Sequence, residues 1–302
     1  MARLGKQQLQ LLEGVYLNRS PRVKLSPNWR TIYRELEVGE LDGAEKYLCF
    51  APRDFELLRQ GVLAKEGVDL QALDFNLDRI AMSAQSQNEK LASIRPEAEY
   101  VLLKYLGFES PPMGMSTRSS LRTPLDEAEQ LCHDLYVKAI LVIENLDIFD
   151  AITQARLPAE LSRIMVIYRG SGHHSPIGVR HFLQAMAGKM PIIAFTDLDP
   201  AGLQIAHTLT GMTHCIVPQL ALVAPSELLA IPQINSADDF AKQAPQAKYL
   251  QSTDLKNWQQ LSLWLNQQRI SIKQQHLLVH RLELVLLAYD ESLSIPIYLQ
   301  IP

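Results

Sequence analysis

Cysteine is scarce in this chain: Cys49, Cys132 and Cys215 are the only three in 302 residues, and they lie far apart. Odd in number and in no C-x-x-C or Cys/His pattern, they argue against a disulfide framework or a zinc site and read as buried thiols. Long apolar runs are missing as well. No stretch approaches the ~20 residues that span a bilayer, and the opening residues MARLGKQQLQLLEG lack the apolar segment and cleavage site of a signal peptide. Both absences predict a cytoplasmic protein with no membrane contact. Nor is there a large surplus of either charge: the formal net charge is −4, with 47% hydrophobic and 21% charged residues and a mean hydropathy of −0.04. That balance excludes wholesale disorder and collagen-like repetition. The length exceeds one usual domain, which predicts two domains, or one with an appendage.

The modest net charge would by itself discourage a nucleic-acid partner, but it hides a gradient. Residues 1–125 carry 17 Lys+Arg against 16 Asp+Glu, and residues 126–302 carry 12 against 17. Within residues 1–34, Arg3, Lys6, Arg19, Arg22, Lys24, Arg30 and Arg34 face a single acid, Glu13. A local positive field of this kind suits phosphate contact, with Arg22, Lys24 and Arg30 as candidate contacts.

Helical spacing over residues 4–13, a second helix from about Asn28, and the stretches APRDFELLRQGVL and SIRPEAEYVLLKYLG predict a mainly helical first region over residues 1–110. Residues 111–125, rich in Ser, Pro, Thr and Gly, read as a linker. From residue 126 to 302 the pattern is α/β. KAILVI (138–143), RIMVIY (163–168), PIIAFT (191–196) and HCIVP (214–218) are short continuous apolar runs, as expected of parallel strands covered on both faces. The intervening LDIFDAITQARL, PIGVRHFLQAM and PAGLQIAHTLTG are long enough for crossover helices. LKNWQQLSLWLNQQ and IKQQHLLVHRLELVLLAY predict further helices after the sheet.

In an open parallel sheet, ligands gather at the carboxyl ends of the strands. Here the residues at those ends are acidic: Glu144 follows KAILVI, and Asp197 and Asp199 follow PIIAF in FTDLDPAG. Side chains at i and i+2 of extended chain point to one side, so the two aspartates should present their carboxylates together and repel unless a cation joins them. Magnesium, held by one or two carboxylates plus waters and phosphates, fits that need. Alone, the D-L-D-P-A-G string reads as a helix N-cap, with Asp199 capping the helix begun by Pro200 and Asp197 solvated. An acid after one strand, a glycine-bearing turn after the next and D-x-D after the third together predict one acidic crevice.

The order Glu144, then IYRGSGHHSPIGVRHFL, then FTDLDPAGLQIA resembles the Toprim domain over about residues 136–218, most closely its topoisomerase VI A subunit branch. Gly170, Gly172, Arg180, Asp197, Asp199, Pro200 and Gly202 carry the match. The helical first region, with IKQQHLL near the end, is more similar to the Wadjet nuclease subunit (JetD or MksG) than to a topoisomerase. The resemblance implies a Rossmann-like, mostly parallel sheet and a first region that could be a winged helix. It also implies Mg²⁺, with Mn²⁺ as substitute, on Glu144, Asp197 and Asp199, which are the catalytic residues. Phosphate would be met by Arg180, Gly170, Gly172 and His173. The implied activity is cleavage of double-stranded DNA by a homodimer that works with an SMC-kleisin ATPase complex in plasmid or phage defence. Two departures stand out. Ser171 occupies the place between the glycines where the branch commonly has Lys, and Arg30-Thr31-Ile32-Tyr33 offers one tyrosine where topoisomerases carry a pair. Two alternatives therefore remain: a transesterase using Tyr33 as nucleophile, and a non-catalytic DNA-binding adaptor.

Overall fold

The computed structural model describes residues 4–86, 88–93, 98–110, 112–170 and 177–290. The chain separates into two compact units, Met1–Pro96 and Glu97–Pro302.

In the first unit, helices α1 (Lys6–Asn18), α2 (Pro27–Leu36) and α3 (Asp54–Glu66) are joined by the short strands β1 (Arg22–Lys24), β2 (Glu40–Leu41) and β3 (Tyr47–Cys49), and α4 (Arg79–Met82) follows. Pro21 and Pro27 bracket β1. Ser26 caps α2 by accepting the Trp29 N–H (3.4 Å), with Pro27 at the first helical position, where a missing donor costs nothing. The strands form an antiparallel sheet in the order β1-β3-β2. Leu9, Leu12, Ile32, Leu48, Leu58 and Val62 make its core. The region predicted to be mainly helical thus also holds a small sheet, its strands too short for alternation to be visible in sequence.

The second unit is built on a seven-stranded sheet in the order β10-β9-β8-β6-β7-β4-β5. Its strands are β4 (Tyr100–Leu106), β5 (Leu121–Pro124), β6 (Ala139–Ile143), β7 (Ile164–Tyr168), β8 (Ile192–Phe195), β9 (Met212–Pro218) and β10 (Leu284–Ala288). Helix α5 (Leu125–Asp134) precedes β6, and α6 (Leu146–Ala151), α7 (Ile177–Met186) and α8 (Pro200–Thr208) are the crossovers. After β9 come α9 (Leu220–Val223), α10 (Pro225–Ala230), α11 (Ala237–Ala241), α12 (Ala244–Gln251), α13 (Gln259–Gln267) and α14 (Gln274–Val279). The four strands predicted from apolar runs are β6 to β9, mutually parallel. Every residue of β6, β7 and β8 is buried, because separate apolar clusters cover the two faces of the sheet.

Three expectations need correction. SIRPEAEYVLLKYLG does not form a helix: its apolar run is β4, antiparallel to β7 and β5. Val101, Leu103 and Tyr105 join one apolar cluster while Leu102 and Leu106 pack on the other, so the run serves two faces rather than one helical stripe. In the same way IKQQHLLVHRLELVLLAY is not one helix, since Arg281 takes a left-handed conformation (φ 49°) and LELVLLA turns into the edge strand β10, antiparallel to β9. Residues 111–125, finally, do not separate domains. They lie between β4 and β5 and include β5 itself, and the division between units falls at Pro96/Glu97. Their Pro/Ser/Gly content marks a loop within the sheet.

Cys132 and Cys215 are buried and Cys49 is partly exposed. Burial pushes the Cys132 thiol up to about 12 and the Cys215 thiol higher still, which makes both unreactive.

Candidate functional site

The chain enters the parallel sheet at β6, crosses to β7 on one side, then returns to the other side at β8 and continues to β9. The strand order therefore reverses between β6 and β8, the position in doubly wound sheets where a crevice opens at the carboxyl ends. Glu144 stands immediately after β6 and Asp197 two residues after β8, so the two acids flank that reversal. The Glu144 N–H donates to the Phe195 carbonyl (3.1 Å), which continues the β6–β8 ladder by one step. The Asp197 N–H in turn donates to Glu144 Oε2 (3.3 Å). Burial first, and then the neighbouring Asp197 charge, hold the Glu144 carboxyl above the usual range, opposed by that N–H and by Arg169. Arg169, the first residue beyond β7, is fixed by its N–H to the Ile143 carbonyl (2.9 Å), and its buried Nε has no hydrogen-bond partner among the described residues.

Asp199 has a different environment. It is only 1% exposed and caps α8, with Oδ1 accepting the Gly202 N–H (2.8 Å). Its Oδ2 accepts from Gln243 Nε2 (2.7 Å), Ser271 Oγ (3.0 Å) and Lys273 Nζ (3.2 Å). Gln243 is held at both ends, since its Oε1 accepts the Ala201 N–H (2.9 Å). The glycine of the D-x-D-P-x-G string has a steric cause: a Cβ at Gly202 would sit 2.0 Å from the Asp197 carbonyl oxygen. Only a residue without a side chain lets the first turn of α8 close against the acidic segment.

Lys273 joins the two aspartates. Its ammonium lies 3.0 Å from Asp197 Oδ2 and 3.2 Å from Asp199 Oδ2. Burial opposes its charge, but the hydrogen bond to Asp197 and the field of both aspartates outweigh that and raise its pKa. The lysine is brought there by one antiparallel bridge, in which Leu198 and Ile272 exchange backbone hydrogen bonds of 2.9 and 3.1 Å. Gln274 follows on the same anchor. Its backbone N–H donates to Asp197 Oδ1 (2.9 Å) and its side-chain Nε2 to the Phe195 carbonyl (3.1 Å), and its buried Oε1 has no hydrogen-bond partner among the described residues.

The D-x-D spacing thus brings both carboxylates to one point, as expected of positions i and i+2, and the cation found there is a side chain. A divalent metal fits part of this set. Glu144 and Asp197 are two hard oxygen donors of the kind magnesium takes along with waters, and Gln274, whose backbone N–H is anchored on Asp197, carries a buried Oε1 with no hydrogen-bond partner among the described residues. Asp199 is buried, and its carboxylate already accepts from four donors. Among the described residues no group of three or more His, Cys, Asp or Glu is placed to hold a metal ion. Sequence reading missed Arg169, Gln243, Ser271 and Lys273. Of these only Lys273 left a signal, in the polar IKQQ string.

The remaining candidates are dispersed. Gly170 is buried with φ of 95°, a conformation that favours glycine. Arg180 is exposed on the first turns of α7 and forms no ion pair among the described residues. Gly172 and His173, with Ser171 and His174, lie outside the described residues. In the first unit, Arg22 and Lys24 are exposed on β1, the Arg22 guanidinium lies 5.1 Å from the centroid of the Tyr47 ring, and Arg30 is exposed on α2. Tyr33 is half-buried on α2 and packs against the first unit's core. His207 and His214 are held by hydroxyl groups: His207 by Tyr249 and Tyr289, His214 by Thr213.

No helix among the described residues is long and apolar enough to cross a membrane. No curated protein matches the sequence. Residues 98–286, from just before β4 into β10, match a domain of unknown function, DUF7281. That span covers most of the chain and holds Glu144, Asp197, Asp199 and Lys273, so the chain belongs to the DUF7281 family.

Proposed function

We propose that the protein is a Mg²⁺-dependent DNA endonuclease subunit with a Toprim-like second unit, acting as a homodimer in the cytoplasm with an SMC-kleisin ATPase complex of the Wadjet type. The observation that carries this reading is the placement of Glu144 and Asp197 on either side of the strand-order reversal, where the Asp197 N–H binds Glu144 Oε2 and the two carboxylates repel. In it, Glu144 and Asp197 hold the cation, which would neutralise phosphate charge and polarise the phosphoryl group. Asp199 fixes the Asp197 backbone by capping α8. Glu144, its carboxyl raised by burial and by the Asp197 charge, also suits proton transfer to or from a reacting oxygen. Arg180 meets a phosphate near the start of α7. Arg22, Lys24 and Arg30, on a first unit that we read as a winged-helix variant, contact the duplex backbone. The SMC-kleisin partner, the homodimer and the defence role rest on the Toprim and Wadjet resemblance alone.

The test is nicking of supercoiled plasmid by the full chain with Mg²⁺ or Mn²⁺, for wild type, Glu144→Gln and Asp197→Asn. The proposal expects metal-dependent nicking by wild type and its loss in both variants at unchanged thermal stability; equal cleavage by all three sinks it. A second reading has its own support: the Lys273 bridge already compensates both aspartates, which suits a DNA-binding adaptor that has lost the reaction. Under that reading wild type binds DNA and leaves it intact with every divalent metal.

A further inference from the structure

We propose that Lys273 is the resident counter-ion of the carboxylate site and exchanges with the divalent cation, leaving Asp197 when the metal enters. This rests on the metal-site reading above. The anchor and the charge of Lys273 are separable. Its backbone is pinned on one side by the Leu198–Ile272 bridge and on the other by the Gln274 N–H bound to Asp197 Oδ1. Its side chain, by contrast, is 37% exposed, against 15% for Asp197 and 1% for Asp199, so the ammonium has a route to solvent that Asp199 lacks. An alternative partner is near: the Asp239 carboxylate on α11, itself paired with Lys242, feels the Lys273 charge.

Charge balance favours exchange over joint occupancy. Three carboxylates, Glu144, Asp197 and Asp199, face the positive charges of Arg169 and Lys273. Adding a divalent ion and keeping both side-chain cations would overcharge the crevice, whereas releasing Lys273 brings it to neutrality. An ammonium and a metal ion competing for Asp197 Oδ2 would also stand within a few ångströms of each other in a partly buried site, where like charges are poorly screened. Lys273 would therefore keep the aspartates together without metal and lower the affinity for metal.

The full chain tests this with Mn²⁺ as the probe, free ion being counted by electron paramagnetic resonance. Lys273→Gln removes the competing charge and should bind Mn²⁺ about tenfold or more tighter than wild type, while Lys273→Arg should stay near wild type. On wild type, saturating Mn²⁺ should raise the acetylation rate of Lys273 by an amine-reactive ester severalfold, read by mass spectrometry, and leave that of Lys248 unchanged. The labelling result decides alone if Lys273→Gln does not fold. Mn²⁺ binding to wild type with no gain in Lys273→Gln and no change in Lys273 labelling overturns the exchange and leaves the metal site standing. Failure of wild type and Lys273→Gln alike to bind Mn²⁺ overturns the metal-site reading, and the exchange with it.

Discussion

Replacing Asp199 with alanine separates a structural carboxylate from a reactive one. The N-cap lost from α8 costs about 1 kcal/mol. Gln243 Nε2 and Ser271 Oγ, which donate to Asp199 at 2.7 and 3.0 Å, would be left in a buried place without their acceptor, at about 1–3 kcal/mol each. Gln243 cannot recover by turning its amide over, because its Oε1 already takes the Ala201 N–H. Lys273 keeps Asp197 and adds little. The expected loss is about 4 kcal/mol, which for a unit of this size lowers Tm by roughly 8–16 °C. Asp199→Asn retains an oxygen for the cap but sets its NH₂ against the Gln243 and Ser271 donors, so it should lose about 1 kcal/mol less than Asp199→Ala. Urea denaturation of the full chain, followed by the fluorescence of Trp258, isolates the second unit, because Trp258 is fully buried there and donates to the Leu287 carbonyl (3.1 Å). Removing the first unit's tryptophan with Trp29→Phe sharpens the signal. A loss under about 1 kcal/mol in Asp199→Ala, or equal losses in the two variants, would refute the structural role argued for Asp199.

Three further side chains give measurable expectations. Gly202→Ala places a methyl 2.0 Å from the Asp197 carbonyl oxygen, a backbone clash that should cost about 3 kcal/mol or more in urea denaturation. Lys104 is fully buried on β4, its ammonium 3.8 Å from the Asp150 carboxylate and 4.4 Å from the Phe149 ring centroid. Burial lowers its pKa, and Asp150 is exposed enough to be hydrated when left alone, so Lys104→Met should raise stability by about 1 kcal/mol or leave it unchanged. Tyr289 donates to the Asp254 carbonyl and so accepts from His207 Nε2, leaving His207 Nδ1 to accept from Tyr249. The imidazole is thus held neutral, and burial lowers its pKa. The unfolded chain then binds the extra proton first, so this contribution is complete above about pH 6.5 and shrinks as pH falls. Wild type should lose stability relative to His207→Gln between pH 7 and pH 5, and a constant difference would rule the argument out.

The fold was legible where burial on both faces leaves no room for a polar residue. KAILVI, RIMVIY and PIIAFT could only be buried strands or buried helix segments, and their length and spacing from helix-sized linkers decided between the two. YVLLKYLG and LELVLLAY are ambiguous in sequence, because an apolar run of five to seven residues fits both periods. What makes them strands is pairing with β7 and β9, partners about 60 and 70 residues away. The short strands of the first unit carry no periodicity at all.

At the site, sequence gave the acids but not their division of labour. Asp197 and Asp199 are two residues apart and point to one ammonium, as extended geometry requires. Pro200 starts a helix one residue after Asp199, so the four donors around it converge on that carboxylate. Asp197 keeps its oxygens at the crevice with Glu144. The charge that reconciles them comes from Lys273, more than 70 residues downstream and delivered by a single backbone bridge, and no local pattern announces such a contact. A D-x-D string after a buried strand therefore implies a cation between the carboxylates without saying which kind. In this protein the bridging lysine supplies one that a divalent ion would have to displace.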